Sequence, residues 1–175
     1  MAYRIEKDSL GEKGVPEKAY YGIQTQRALE NFPVSGLREH PIFIRSYVLI
    51  KKAAALANME LGALDEEKGE AIVAACDDVL SGKLMDQFAV DVFQAGAGTS
   101  FNMNVNEVLA NRALELLGKS KGEYSHLSPN DHVNMAQSTN DTFPTAIHLS
   151  ALLLHRELEP ALQGLIDALR KKGKE

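Results

Sequence analysis

Between Pro144 and Lys171, apolar residues recur at Ile147, Ala151, Leu154, Leu158, Leu162, Leu165 and Leu169. Steps of three and four keep them on one face of a helix for about six turns, whereas a strand would need alternation. Pro160 interrupts the stretch by removing an amide donor and crowding the turn before it, so a kink is expected there. A helix this long with one apolar face needs that face covered. It should fold back on earlier helices or pair with another copy of the chain.

The rest of the chain reads the same way. Pro41 to Leu61 has a proline suited to a first helical position and Gly62 suited to a stop. Its apolar residues (Ile42, Phe43, Ile44, Tyr47, Val48, Leu49, Ile50, Ala53 to Ala57) run almost all round, which predicts burial on most sides. A helix from about Glu66 to Leu80, capped by Asp65, carries the stripe Ile72, Val73, Cys76, Val79, Leu80, and Gly82 ends it. Another runs from about Ser100 to Leu117, with Gly118 after it. Before Pro41 the signals are irregular. Arg4 to Lys13 can form a small hairpin, and Asn31-Phe32-Pro33 reads as a turn. The fold class is all-α.

Charge and cysteine content narrow the function. The 175 residues carry 19 basic and 24 acidic side chains, net −5, with no basic block. That disfavours nucleic acid as a partner. No run approaches the roughly 18 apolar residues of a membrane span, and the start has no apolar signal core. A single cysteine, Cys76, fits a reducing cytoplasm and, lying in a helical stripe, reads as a packed core thiol. His126 and His132 are six apart, and His148 and His155 seven apart, which is too sparse for zinc. No metal is expected, and His148 reads as a helix-surface or interface residue.

Chemistry concentrates in two loops that each feed a helix. In Gln94-Ala95-Gly96-Ala97-Gly98-Thr99-Ser100, the glycines allow close backbone approach, and Thr99 or Ser100 can cap the helix that follows. A glycine-rich turn opening a helix offers free amides and the positive dipole end to an anion. No Gly-Lys-Ser/Thr follows, so a small carboxylate suits it better than a nucleotide phosphate. A plain capped turn is the competing explanation of this loop. The helix beyond is less easily explained as ordinary. Asn102, Asn104, Asn106 and Asn111 are poor helix formers, and Asn104, Glu107 and Asn111 share a face. This predicts a buried hydrogen-bonded network around a site.

In the second loop, Gln137, Ser138, Thr139 and Asn140 place four neutral hydrogen-bonding side chains before a helix that Asp141 or Thr142 can cap, with Pro144 in its first turn. Hydroxyls and an amide can hold a carboxylate without altering its ionisation, and can tighten as charge accumulates on it. An enzyme that removes a proton beside a carboxylate needs that.

Gly96-Ala97-Gly98-Thr99-Ser100-Phe101-Asn102-Met103-Asn104-Val105-Asn106-Glu107 resembles the first signature of the aspartase/fumarase superfamily, and Pro129-Asn130-Asp131-His132-Val133-Asn134 through Gln137-Ser138-Thr139-Asn140-Asp141-Thr142-Phe143-Pro144 resembles the second. Arg4-Ile5-Glu6-Lys7-Asp8, Tyr20-Tyr21-Gly22 through Arg27, and Glu30-Asn31-Phe32-Pro33 are similar to its N-terminus. Ala97, Ser128 and the pair Ser138-Thr139 lean toward the aspartate ammonia-lyase branch rather than the fumarases. Met135-Ala136 departs from the Lys-Ser pair common in fumarases and in some aspartases.

The resemblance implies reversible anti elimination of ammonia from L-aspartate to give fumarate, through an aci-carboxylate and without a cofactor. It implies that Thr99, Ser138 and Thr139 hold the β-carboxylate and that Asn140 orients the amino group or the α-carboxylate. It further implies a helical N-terminal domain over 1–140, and over 141–175 the first helix of a central bundle in a cytoplasmic homotetramer. The family's Thr-His pair and its Gly-Ser-Ser loop are not in these residues. The resemblance therefore places the serine base beyond Glu175, and no catalytic residue is expected among the 175. The chain is expected to be an inactive N-terminal fragment. A fumarate hydratase fragment and a non-catalytic carboxylate-binding or oligomerising helical module are the alternatives.

Overall fold

A computed structural model describes residues 2–175. Strands β1 (Tyr3–Asp8) and β2 (Gly11–Pro16) form the hairpin, antiparallel from Tyr3↔Pro16 to Asp8↔Gly11. Five helices follow: α1 (Ile23–Asn31), α2 (Pro41–Glu60), α3 (Glu66–Leu80), α4 (Thr99–Leu116) and α5 (Thr139–Lys172). A 3-10 turn, Met85–Gln87, and a π-helical turn, Pro129–Val133, lie in the connections.

Local signals set most boundaries. His40 Nδ1 accepts from the Ile42 amide ahead of α2, and Asp65 accepts from the Lys68 amide ahead of α3. Gly62, Gly82 and Gly118 each take the positive φ that ends a helix. Helix α1 was not legible. Its N-cap, Gly22, has no side chain, and the amides of its first turn are instead satisfied from far along the chain. Glu6 Oε2 accepts from Ile23 N at 2.8 Å. Glu107 takes Gly22 N, Gln24 N, Thr25 N and Thr25 Oγ1 at 2.9, 2.8, 3.0 and 2.6 Å.

Helix α4 is the central element. Every residue from Phe101 to Asn111 is buried, with α1 and α3 against it. Cys76 is fully buried beside Ile72 and Val79. Phe43, Tyr47, Phe101 and Phe143 form an aromatic cluster with ring centroids 5.1 to 6.5 Å apart. This cluster locks α2, α4 and α5 together.

Helix α2 buries one side rather than most of its circumference. Leu49 and Leu56 are exposed, with no element among the described residues covering that face. Helix α5 begins five residues earlier than Pro144, since Ser138 supplies the cap in place of Asp141 or Thr142. The helix continues through both Pro144 and Pro160. It packs on α2 only through its first turns, where Thr142, Ala146 and Ser150 are buried. His40 and Phe43, at the start of α2, lie beside Ser150, Ala151 and Leu154 around a cavity of about 450 Å³. Past that point α5 has no neighbour among the described residues. Leu158, Leu162, Leu165 and Leu169 are 48 to 64% exposed, so the stripe does not fold back on the earlier helices.

Candidate functional site

Both hydroxyl-bearing loops become helix N-termini, and the structure ties the two together one turn inside each helix. Tyr47 OH donates to Asn102 Oδ1 at 3.1 Å and shares a 2.8 Å hydrogen bond with Thr142 Oγ1. Asn102 lies three residues after Thr99, and Thr142 three after Thr139. Gly98 packs against the Phe143 ring so closely that an added Cβ would meet Cδ2 at 2.0 Å. The opening of α4 thus rests on the opening of α5.

The first loop differs in detail from the sequence expectation. Gly98, with φ of 86°, is the N-cap of α4, and Thr99 and Ser100 are its first helical residues rather than caps. The Phe101 amide is taken by Gln94 Oε1 at 2.6 Å, and the Asn102 amide by Gly98 O. The amides of Thr99 and Ser100 have no partner among the described residues. Thr99 is exposed and Ser100 half-buried. At the second loop Ser138 is the exposed N-cap, its Oγ accepting from Asn140 N at 3.3 Å. Thr139 is half-buried as the first helical residue, and Asn140 is exposed. Exposed hydroxyls and uncommitted amides at two abutting helix starts suit a small anion.

The polar side chains of α4 are buried and hydrogen-bonded as expected, but Asn104, Glu107 and Asn111 work away from the two loops. Asn104 pins the 3-10 turn, donating to Gln87 O and accepting from Ala89 N. Asn111 joins Tyr20 O, Tyr124 OH and Gly122 N. Glu107 caps α1, and its burial pushes the carboxyl above the ordinary range while the four donors pull the other way. These groups are structural. Only Asn102 and Asn106 point toward the second loop.

There they meet Lys51, which the sequence reading passed over. Its Nζ donates to Asn102 Oδ1, Asn134 Oδ1 and Gln137 Oε1 at 2.8, 3.0 and 2.9 Å. Asn134 Oδ1 also accepts from Asn102 and Asn106. Lys51 is fully buried and has no carboxylate in ion-pair range among the described residues. Burial pushes its ammonium down to about 7. A readable signal existed: Ile44, Tyr47, Val48, Lys51, Ala55 and Asn58 share the buried face of α2, so a lysine stands on the core stripe.

His148 is exposed, and His132 Nδ1 accepts from Ser128 N at 2.8 Å within the π turn. Glu175 lies exposed just past the end of α5 opposite Thr139, where its carboxylate accepts from Lys172 Nζ at 2.5 Å. It takes no part in the two loops. Among the described residues no three His, Cys, Asp or Glu side chains gather as a metal-holding group. No helix among the described residues is long and apolar enough to cross a membrane.

Comparison with known proteins adds to this geometry. A family model described as "Lyase" matches residues 11–175. The chain is 59% identical to an aspartate ammonia-lyase of Bacillus sp. over 98% of its length and 37% of the relative's. It is 54% identical to a class II fumarate hydratase of Halobacterium salinarum, over 98% of this chain and 36% of that protein. Among solved structures, the fumarate lyase:delta crystallin of Brucella melitensis in native form superposes with a TM-score of 0.95 at 55% identity, over 99% of this chain and 41% of that one. The chain thus spans a little over a third of the length of the curated relatives it matches.

Proposed function

The chain belongs to the lyase family whose model it matches, and we propose that it supplies the carboxylate-holding part of an aspartate ammonia-lyase. The observation that carries this is the abutment of two hydroxyl-bearing helix N-termini through Tyr47 and the Gly98–Phe143 contact. Thr99, Ser138 and Thr139 would donate to the β-carboxylate of L-aspartate, and Asn140 would orient the amino group or the α-carboxylate. The serine base would come from sequence beyond Glu175.

When that base takes a proton from Cβ, the electron pair moves into the β-carboxylate, which becomes a dianionic aci-carboxylate. Donors already aimed at those oxygens strengthen their bonds as charge builds, with no reorganisation at the moment of reaction. The pair then returns to form the carbon–carbon double bond as the C–N bond breaks. Ammonia departs and fumarate remains. Such a site requires no organic cofactor, and its working form is proposed to be a cytoplasmic homotetramer.

The similarity to class II fumarate hydratases sustains a second reading, in which the same donors hold the intermediate of water addition to fumarate. The test is turnover by the full-length protein: ammonia and fumarate from L-aspartate, against malate from fumarate. Release of ammonia from aspartate supports the first reading, and malate alone supports the second. The 175-residue chain by itself is expected to give no rise in fumarate absorbance with aspartate, and measurable turnover by it would overturn both that expectation and the placing of the base beyond Glu175.

A further inference from the structure

A lysine buried without a carboxylate is costly, because its charge leaves water and gains only dipoles in return. Lys51 is placed this way, and its three acceptors come from two different elements. Asn102 belongs to α4, one turn after Thr99. Asn134 and Gln137 belong to the segment that ends at Ser138 and Thr139. We infer that Lys51 is a positioning residue, its ammonium holding the Asn134–Gln137 segment, and with it Ser138 and Thr139, at a fixed offset from the α4 start that carries Thr99. The inference rests on the proposed carboxylate-holding role of those hydroxyls.

The chemistry of the acceptors favours this assignment. Three amide oxygens face Nζ, and only a protonated amine has three hydrogens to give them. Tyr47 contributes its ring face, whose centroid is 5.5 Å from Nζ. Neutral amides of the same two helices also reach the segment, Asn58 Nδ2 of α2 donating to Met135 O and Asn102 and Asn106 of α4 donating to Asn134 Oδ1, and apart from those to Lys51 the rest of its side-chain bonds are internal. Asn134 Nδ2 donates to Gln137 O, and Gln137 Nε2 donates to Val133 O and Met135 O. Lys51 is the charged group in this set, and its three bonds join Asn102 to both Asn134 and Gln137. Ala136 adopts a φ of 56°, a left-handed conformation unusual for a residue with a Cβ. A segment bent this way needs outside support to stay in place.

Hydrogen exchange and kinetics test the assignment together. In the 175-residue chain, Lys51→Met should accelerate exchange at the Gln137, Asp141 and Thr142 amides tenfold or more relative to the amides of α3. Gln137→Met, which removes one of the three Lys51 acceptors together with the Nε2 bonds to Val133 O and Met135 O, should produce a smaller acceleration at Asp141 and Thr142 and guards against failure of the first variant to fold. In the full-length enzyme, Lys51→Met should lower kcat/KM for L-aspartate by about a hundredfold, the scale expected of a 1 Å misplacement, with KM raised. A lysine that merely supports the fold would lower melting temperature and yield, leaving KM and the loop-to-α3 exchange ratio unchanged. That result overturns the inference. A wild-type enzyme that turns over neither aspartate nor fumarate would sink the functional reading, and the exchange ratio would still decide the role of Lys51.

Discussion

Gly98→Ala is expected to damage stability and catalysis together, and the size of the effect follows from two contacts. The residue holds φ at 86°, where a side chain costs about 1–2 kcal/mol. The new Cβ would also sit 2.0 Å from Phe143 Cδ2, against the roughly 3.5–4.0 Å at which carbons rest. Relief requires the ring or the loop to move about 1.5–2 Å, and Phe143 is held by Phe43, Tyr47 and Phe101. Overpacking of this kind costs about 1–3 kcal/mol, so the total is about 2–5 kcal/mol.

The movement separates Thr99 from Thr139, so turnover by the full-length enzyme should fall by about a hundredfold or more. Gly96→Ala provides the internal control. Its φ is 56°, but the nearest atom to an added Cβ is Thr99 Oγ1 at 3.9 Å, so only the conformational cost of about 1–2 kcal/mol applies. Urea denaturation of the chain and aspartate kinetics of the full-length enzyme measure both quantities. Equal stability and equal turnover in the two variants would refute the claim that the Gly98–Phe143 contact sets the relation of the two loops.

Other outcomes are expected elsewhere. Glu107→Gln leaves one α1 amide facing an NH2 group and weakens the remaining bonds. It should cost about 2–4 kcal/mol in urea denaturation, with exchange accelerated first at Ile23 to Gln26, and a change below about 0.5 kcal/mol would count against the capping role. At Asp91 burial works against ionisation, but hydrogen bonds from Phe93 N, Ser35 N, Ser35 Oγ and Gly36 N more than offset it and hold the carboxyl at about 2. Its stabilisation is therefore present above the ordinary 3.8 and lost as pH falls through about 2. Amide shifts of Ser35 and Gly36 should report this loss, and Asp91→Asn should abolish the titration. Leu158→Ser and Leu165→Ser should leave the stability of a monomeric chain within about 0.5 kcal/mol of wild type, because neither side chain packs on the rest of the chain. A large loss at high dilution would show a buried role for that face.

What was legible in the sequence depended on whether the stabilising partner was close by in the chain. Helices α2, α3 and α4 carried their own stops, and the structure places them within a residue or two of expectation. Helix α1 is stabilised by Glu6 and by Glu107, which lies more than 80 residues away, so no window around Ile23–Asn31 could reveal it. The polar residues of α4 were visible as an anomaly, yet which of them serve the second loop and which hold other parts of the fold required the structure. The hydroxyl loops were visible as chemistry. Their abutment was not, because it depends on Tyr47 reaching two helices at once. Lys51 resembled a surface lysine next to Lys52, and only its register with Tyr47 and Ala55 marked it as different.

The Glu107 cap is, in effect, a tethered ligand. A carboxylate is held in the interior by a threonine hydroxyl and the free amides of a helix start, with no cation in the set. Those are the donor types proposed for the substrate at Thr99, Ser138 and Thr139. The two differ in what must be restrained: Glu107 arrives attached to α4, whereas aspartate would surrender its freedom of translation and rotation on each visit. The protein therefore contains its own reference compound. The vibrational signature of the Glu107 carboxylate, assigned by isotope labelling, is the standard against which a bound dicarboxylate could be read.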